Sequence, residues 1–559
     1  MQIAKPNNGY TYKQFFIYFI LSALALYFVF SPAINIPFYH HDIYKFVTGG
    51  FHQACSHEPG FEFIMTLGRP VTAYIECLNN KVGNTLESVA YLRVLYLLLI
   101  AATISWFAVS LNKLRLSYWV ALLVSSSIFF LPAMQTVMIM IASNIIITIL
   151  LSFAANYFIS ESDADFRSHK VKAIAYLYIG LFLMLLAFFA YPSMTAFFLM
   201  PAFIGVLFKP LSEWRVTRKV VARDVFVYVV CCIMFFVLAK VLKVYVKMYY
   251  PEVIVPASYE FTLSFNLGEK FTYLYHLLPV FWNLDSGLPQ AVIVYLIITT
   301  GSIVALKEFL GNKKNSTSYL LQAIFAIFVL AISGSLTYLL APMHGWPFSR
   351  VIFIFQAMSL LVVVWSLIQI SKLFSYRKDQ WIIATVALLF CAGAYYANNR
   401  VAASALNDYT ELNYMATSIA ARIQQESTPL KRIHVIAPTV ANFNGLVNHE
   451  DIFNLNSSLS AGNITYMVEA ALLRFAKRHS FDVSNCIFSE NNEAKHFDDE
   501  KKCIEATDAR TIAVTYSRSG DAIYQTDGMM VINMNVLAPF AEINKKELNN
   551  IAGIAQNVI

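Results

Sequence analysis

Over about its first 400 residues, the chain alternates long apolar runs with short polar segments. A run of about 20 mostly apolar residues is long enough for a helix to cross the hydrocarbon core of a bilayer. Eleven runs meet or approach this length, and each is predicted to be a membrane-spanning helix. They cover about 14–31, 89–109, 117–131, 136–158, 173–190, 194–208, 225–248, 288–306, 319–340, 351–371 and 380–397.

The polar connections form two sets that alternate along the chain. One set is rich in basic residues and comprises the segments with Lys113/Arg115, Arg167/Lys170/Lys172, Lys209/Arg215/Arg218/Lys219/Arg223, Lys307/Lys313/Lys314 and Lys372/Arg377/Lys378. The other set, 32–88, 250–287 and 341–350, is long or nearly free of them. Because cytoplasmic loops carry an excess of Lys and Arg, the first set is predicted to be cytoplasmic. The N-terminus is then cytoplasmic, and an odd number of spans puts the C-terminal segment outside.

The tail from Asn398 to Ile559 has a soluble composition and alternates predicted helices with strands. Helices are predicted over about 409–425 and 464–478, and strands over 432–437, 511–516 and 530–534. The predicted fold is therefore a polytopic α-helical membrane domain, 1–397, followed by an external α/β domain, 398–559. Between its strands the tail shows no Gly-rich phosphate loop, nucleophile elbow or H-E-x-x-H motif.

Composition supports the membrane class and argues against a nucleic-acid partner. The chain is 58% hydrophobic and 13% charged, whereas soluble domains are about 45–50% apolar and 25% charged. The net charge of +7 is carried by short loops between apolar runs, not by one basic patch. The first run lacks a small-x-small cleavage site, so we expect an uncleaved anchor.

The seven cysteines agree with this topology. Cys231, Cys232 and Cys391 fall inside predicted spans, where cysteine behaves as a small hydrophobe. The other four form two pairs in segments predicted to be external, where an oxidising compartment allows disulfides. The predicted pairs are Cys55–Cys77 and Cys486–Cys503, and four unpaired thiols are the alternative. No Cys/His cluster has the spacing of a zinc site.

The first external segment, 32–88, holds the leading catalytic candidate. Asp42 follows the first span, where lipid meets water, and ionisable residues near the membrane are functional candidates. As a general base it would take a proton from an incoming hydroxyl; the alternative is a helix N-cap. His40 and His41 either orient this carboxylate, bind phosphate or simply face the interface. The same segment has the helical periodicity of amphipathic surface helices over 61–67 and 71–78.

Three further elements supply candidate cations and a cavity wall. Arg69 lies in an external segment otherwise poor in basic residues, and its bidentate fork suits phosphate oxygens; a headgroup or carboxylate contact is the alternative. Lys45 shares the helical face of Asp42. Arg350 and His344 lie in the short external loop 341–350. The remaining candidates are the two spare acids Glu58 and Glu62 and the hairpin tip at Tyr191, which either lines a cavity or is a bare turn.

The external segment 250–287 is rich in aromatic residues. Tyr and Trp favour the headgroup level of a bilayer, so a surface belt is one interpretation of this segment. Stacking against sugar rings or a lipid is the other. It is also predicted to hold an interfacial helix over about 267–278.

Four motifs in this order resemble the Gtr-type serotype-converting glucosyltransferases of bacterial O-antigen, members of the class C glycosyltransferase superfamily. They are His41-Asp42-Ile43-Tyr44-Lys45, Gly68-Arg69-Pro70, Tyr191-Pro192-Ser193 and Pro347-Phe348-Ser349-Arg350. About eleven spans with an external C-terminal domain match the same layout. Many relatives carry two adjacent acids where this chain has His41 and a single Asp42, so a metal-independent base is the better interpretation here.

The resemblance implies a glycosyltransferase of the bacterial inner membrane. The donor would be undecaprenyl phosphate carrying a sugar, often glucose, and the acceptor a hydroxyl of lipid-linked O-antigen on the periplasmic face. Donor synthesis and flipping would require separate membrane proteins, and no cofactor is expected. Asp42 would be the base of an inverting displacement. The donor phosphate would be held by Arg69, Lys45, Arg350 and His344, supported by His40, His41, Glu62 and Tyr191.

Three other functions stay open at this point. A carrier or flippase would move lipid-linked sugar without making a bond, but transporters typically show two related halves, and no internal repeat is evident. An O-antigen polymerase or ligase would carry its large loop between spans. A lumenal mannosyltransferase would make Asn456 and Asn463 glycosylation acceptors.

Overall fold

The structure of the protein is a computed structural model. The residues that it describes are 8–35, 59–82, 88–112, 116–139, 143–165, 170–209, 213–249, 291–311, 324, 349–371, 380–399, 402, 432–436, 482–488, 494–496, 523–526 and 529–533.

Helices dominate the described residues. They are α1 (Asn8–Asn35), α2 (Pro59–Thr66), α3 (Pro70–Val82), α4 (Ser88–Asn112), α5 (Tyr118–Phe129), α6 (Pro132–Ile139), α7 (Ser143–Asp165), α8 (Lys170–Ala190), α9 (Met200–Phe208), α10 (Trp214–Tyr249), α11 (Ala291–Gly311), α12 (Ser349–Ser371) and α13 (Gln380–Asn399). A 3₁₀ helix, Pro192–Leu199, joins α8 to α9.

The chain is a multi-pass helical membrane protein. Seven helices in the described part of the chain are long and apolar enough to cross a bilayer. They are α1, α4, α7, α8, α10, α12 and α13. The predicted count of eleven is not supported by this finding, because α5 and the 192–208 segment are shorter apolar helices and most of the predicted span 319–340 lies outside the described residues.

The surface of α10 shows how the bundle meets lipid. Phe226, Ile233, Val237, Val241 and Val244 are each more than half exposed, and their spacing puts them on one face of the helix. Soluble monomers rarely expose an apolar stripe of this length. The opposite face carries the buried residues of the same helix, so α10 lies at the rim of the bundle.

The third and fourth predicted spans differ from the structure. A turn was expected at about 131–136, but α6 begins there at Pro132 and the next long helix starts only at Ser143. Pro suits the first position of a helix, where its missing N–H is not needed. The segment between the two predicted spans therefore starts a second short helix.

The amphipathic segments predicted over 61–67 and 71–78 are helical. Helices α2 and α3 pack on each other through a small cluster of Phe61, Ala73 and Cys77. Phe61 also meets Tyr74 edge to face, with ring centroids 5.2 Å apart. These contacts fix the angle between two short helices that would be marginal alone.

The tail contributes a five-stranded sheet. Its strands are β1 (Arg432–Ile436), β2 (Asp482–Phe488), β3 (Ala494–His496), β4 (Ile523–Thr526) and β5 (Met529–Asn533), in the order β3-β2-β1-β5-β4. The central strand β1 pairs in parallel with β2 and β5, whereas β3 and β4 pair antiparallel to their neighbours. The strands predicted at 432–437 and 530–534 are confirmed. The predicted helices and the strand 511–516 lie outside the described residues, so the α/β class of the tail stays a prediction.

The chain divides into two compact units. One comprises Met1–Asn35 and His52–Ala402, and the other comprises Ile36–Phe51 and Ala403–Ile559.

Candidate functional site

The Gly68-Arg69-Pro70 motif is the corner between α2 and α3. Gly68 has a φ of 71°, a left-handed conformation that glycine adopts without the steric cost of a Cβ. The Gly68 N–H donates to Met65 O at 3.0 Å, and the Arg69 N–H donates to Ile64 O at 3.3 Å. This pair of bonds is the Schellman ending of a helix. Pro70 then begins α3, so the motif holds Arg69 rigidly between two helices.

Arg69 lies against the Tyr191-Pro192-Ser193 motif. Its Cζ atom is 5.1 Å from the centroid of the Tyr191 ring, within the range of a cation–π contact. Tyr191 is 8% exposed and precedes the 3₁₀ helix, with its N–H donating to Ala187 O at 3.0 Å. Two motifs separated by about 120 residues therefore form one contact, which we call the Arg69–Tyr191 junction.

Hydrogen bonds around Thr72 fasten the same corner. The Thr72 hydroxyl donates to the backbone oxygen of Ala190, the residue before Tyr191. The Asn144 side chain donates to Thr72 Oγ1 at 3.4 Å, and its Oδ1 accepts the Ile145 N–H at 3.0 Å near the start of α7. Thr72, Asn144 and Ala190 are all buried. The junction is thus braced by three helices, α3, α7 and α8.

A second polar chain ties α4 to the same helices. The Tyr96 hydroxyl donates to Asn79 Oδ1, and the Asn79 amide donates to Ser143 Oγ at 2.9 Å. Arg93 lies one turn before Tyr96 on the same helix face and is only 1% exposed. Sequence reasoning missed Arg93. The signal was present, because Arg93 is a charged residue inside the apolar run 89–109.

Helix α12 packs through aromatic rings on the 3₁₀ helix that follows Tyr191. Phe353 stacks on Phe197 with centroids 5.6 Å apart, and Phe129 lies 5.9 Å from Phe353. Phe197 belongs to the 3₁₀ helix that follows Tyr191. Arg350 is in the first turn of α12, three residues or about 4.5 Å of helix rise before Phe353. The helix that carries Arg350 therefore packs on the 3₁₀ helix that carries Tyr191 at its N-terminal end.

The other predicted site residues are not placed by the structure. Asp42, His40, His41, Lys45, His344 and Glu58 lie outside the described residues, while Glu62 lies in α2. Their roles stay predictions.

The two predicted disulfides also stay predictions. Cys77 is disulfide-bonded, but Cys55 lies outside the described residues. Cys486 lies in β2, and Cys503 is likewise outside the described part. The three cysteines predicted in spans, Cys231, Cys232 and Cys391, are free thiols.

Sequence reasoning did not identify a charged cluster that lies elsewhere in the bundle. Asp224 on α10 is 1% exposed and accepts from Arg223 Nε at 2.9 Å and Nη2 at 2.7 Å. Its other oxygen accepts from the Asn156 amide of α7 at 3.0 Å, which also donates to Phe198 O. Arg223 further contacts Asp163 Oδ2 at 3.2 Å. The sequence analysis named only Arg223, as one cation of a polar connection. We call these residues the Asp224 cluster, and it joins α7, α10 and the 3₁₀ helix.

No group of three or more His, Cys, Asp or Glu side chains with a metal-binding arrangement occurs among the described residues.

Comparisons with known proteins assign no family. No protein-family model matches the chain. No curated protein and no solved structure is similar to it either.

Proposed function

We propose that the protein is a membrane glycosyltransferase that moves a sugar, glucose in the first instance, from undecaprenyl phosphate to a hydroxyl of lipid-linked O-antigen. The observation that carries the proposal is the Arg69–Tyr191 junction. It brings together an arginine and a tyrosine that the sequence singled out separately. Helix α12, which packs on the 3₁₀ helix after Tyr191, has Arg350 in its first turn.

The chemistry of a phosphate leaving group favours such a junction. Arginine uses its flat face to stack on an aromatic ring, whereas its N–H groups hydrogen-bond phosphate oxygens in the guanidinium plane. The two interactions therefore use different parts of one side chain. A cation held in a fixed position stabilises the negative charge that develops on a departing phosphate.

The proposed reaction is a single displacement at the anomeric carbon. Asp42 takes the proton of the acceptor hydroxyl, and the hydroxyl oxygen forms a bond to the anomeric carbon. The bond between that carbon and the phosphate oxygen breaks, and undecaprenyl phosphate leaves with the electron pair. The products are an inverted glycoside and the lipid phosphate. Arg69, Lys45, Arg350 and His344 hold the phosphate, while His40, His41, Glu62 and Tyr191 support them.

The proposed setting is the bacterial inner membrane. The eleven spans, the cytoplasmic N-terminus and the periplasmic C-terminal domain are part of the proposal, and so are a separate donor synthase and flippase. A site at the periplasmic face lets a polyprenyl tail enter from the bilayer while a water-borne saccharide approaches from outside.

Transfer of labelled sugar from polyprenyl-phosphate donors to lipid-linked O-antigen tests the proposal. Purified wild type in lipid vesicles is expected to transfer, and Arg69→Gln is expected to lower kcat/KM by about 10–100-fold, since hydrogen bonds to charged groups contribute about 1.5–3 kcal/mol.

Lys172→Met is the matched control for this variant. Lys172 Nζ lies over the Tyr176 ring at the same 5.1 Å, near the opposite end of α8, so its loss removes the same kind of contact away from the junction. Transfer by Lys172→Met should equal that of wild type. Absence of transfer by folded wild type with glucose, galactose, mannose and N-acetylglucosamine donors would contradict the proposal and favour a carrier or polymerase.

A further inference from the structure

Gln135 of α6 is a buried amide without hydrogen-bond partners. Its side chain is 0% exposed, and neither Nε2 nor Oε1 has a hydrogen-bond partner in the described part of the chain. An unpartnered buried amide loses its hydration with nothing in return, which costs free energy. An apolar residue of similar size would avoid this cost, so the amide at this position points to a ligand.

A second buried amide contacts the break that precedes α6. Helix α6 begins directly after the break that ends α5, and Asn398 of α13 donates to the Phe130 backbone oxygen at that break, at 2.7 Å. Asn398 is itself 0% exposed, and its Oδ1 has no hydrogen-bond partner within the described residues. Two buried amides with unused hydrogen-bonding capacity therefore lie on α6 and α13, and α13 contacts the break that precedes α6.

Gln135 is also close to the candidate site along the chain. It follows Phe129, the last residue of α5, by six residues across the break between α5 and α6. Phe129 contacts both Phe353 of α12 and Phe197 of the 3₁₀ helix. Helix α6 itself packs against α12, whose first turn holds Arg350. The buried amide thus belongs to a helix that packs on α12, the helix that begins with the Ser349-Arg350 end of the fourth motif.

The unused atoms identify the chemistry of the ligand. The Gln135 side chain offers two N–H donors and one carbonyl acceptor. Ionised phosphate oxygens only accept, so they would leave the carbonyl unpaired, whereas a hydroxyl both donates and accepts. Pockets for small ligands are typically apolar with a few polar groups that fix orientation. We propose, resting on the proposed function, that Gln135 hydrogen-bonds a hydroxyl of the donor sugar and so contributes to the choice of sugar.

The test crosses one substitution with a series of donors. The donor sugar that wild type uses is prepared in forms that each lack one hydroxyl, and kcat/KM is measured for wild type and Gln135→Met. We expect Gln135→Met to lower kcat/KM for the complete donor by about 10-fold. For one deoxy donor the two proteins should then be equal, because the hydrogen bond is already absent.

Ser152→Ala is the matched control. Ser152 of α7 is also buried with no hydrogen-bond partner for its hydroxyl among the described residues. Both substitutions should leave the Tm at or above that of wild type, while only Gln135→Met changes the donor profile.

Each other outcome overturns a stated claim. Equal kcat/KM values for wild type and Gln135→Met with the complete donor would overturn the inference alone, and so would a 10-fold loss that persists with every deoxy donor. If the kcat/KM values of wild type and Gln135→Met became equal with a deoxy acceptor and not with a deoxy donor, Gln135 would contact the acceptor. That result would also contradict the inference. Failure of wild type to transfer from any donor would remove the proposed function and the inference together.

Discussion

Asp42→Asn is expected to lower kcat for sugar transfer by about 100-fold or more, within the range that general acid–base catalysis typically contributes. The amide keeps the shape of the side chain but cannot take the proton of the acceptor hydroxyl. Donor binding does not depend on that proton, so KM for the polyprenyl-phosphate sugar should stay close to that of wild type. Steady-state transfer at varied donor concentration separates the two effects.

A neighbouring acid provides the comparison for Asp42. Glu58→Gln removes a carboxylate from the same predicted external segment, and it should retain most of the activity. Full activity of Asp42→Asn would move the base elsewhere, with Glu58 and Glu62 the next candidates, while the glycosyltransferase proposal itself would stand.

Asp224→Ala is expected to destabilise the helical unit by about 3 kcal/mol, since removing one partner of a buried ion pair leaves the other charge uncompensated. Arg223 would lose two of its hydrogen bonds, and Asn156 would lose one. Arg223 stays 20% exposed, so water relieves part of the cost, and the value is at the lower end of the range for buried pairs. Equilibrium unfolding in detergent, followed by loss of helical signal, measures the change.

The same arginine supplies its own control. Asp163 also pairs with Arg223, but its side chain is 67% exposed, and exposed ion pairs contribute about 0–1 kcal/mol. Asp163→Asn should therefore unfold almost as wild type does. Replacing both members of the buried pair, as in Arg223→Met with Asp224→Leu, should recover much of the stability lost in Asp224→Ala. Equal stability of Asp224→Ala and wild type would show that the buried pair does not hold these helices together.

Apolar runs predicted most of the long helices, because span length and hydrophobicity are local properties of the sequence. The helix boundaries near proline were less predictable. Pro132 and Pro192 each start a helix instead of ending one, and which of the two occurs depends on the packing of neighbouring helices. The strand β2, whose residues Asp482, Ser484 and Asn485 are polar, lacks the alternation that predicts a strand and is fixed by pairing with β1.

The residues of the candidate site were predictable one at a time, but their contacts were not. Arg69 and Tyr191 stood out as an external cation and a hairpin tip, yet only the packing of α3 against α8 brings them together. Gln135 fell in a segment expected to be a turn, where a polar residue needs no explanation. Its burial in a helix is a property of the fold, and so is the burial of Asp224 beside Arg223.

The most direct test of the central claim is the location of the bound donor phosphate. A polyprenyl-phosphate glucose that carries a diazirine on the isoprene unit next to the phosphate is photolysed with the protein in vesicles, and labelled peptides are mapped by mass spectrometry. The account predicts labelling within 59–82 and 190–199, on both sides of the Arg69–Tyr191 junction, and its loss on competition with unlabelled donor. Competed labelling confined to the Asp224 cluster, with none at those two segments, would contradict it.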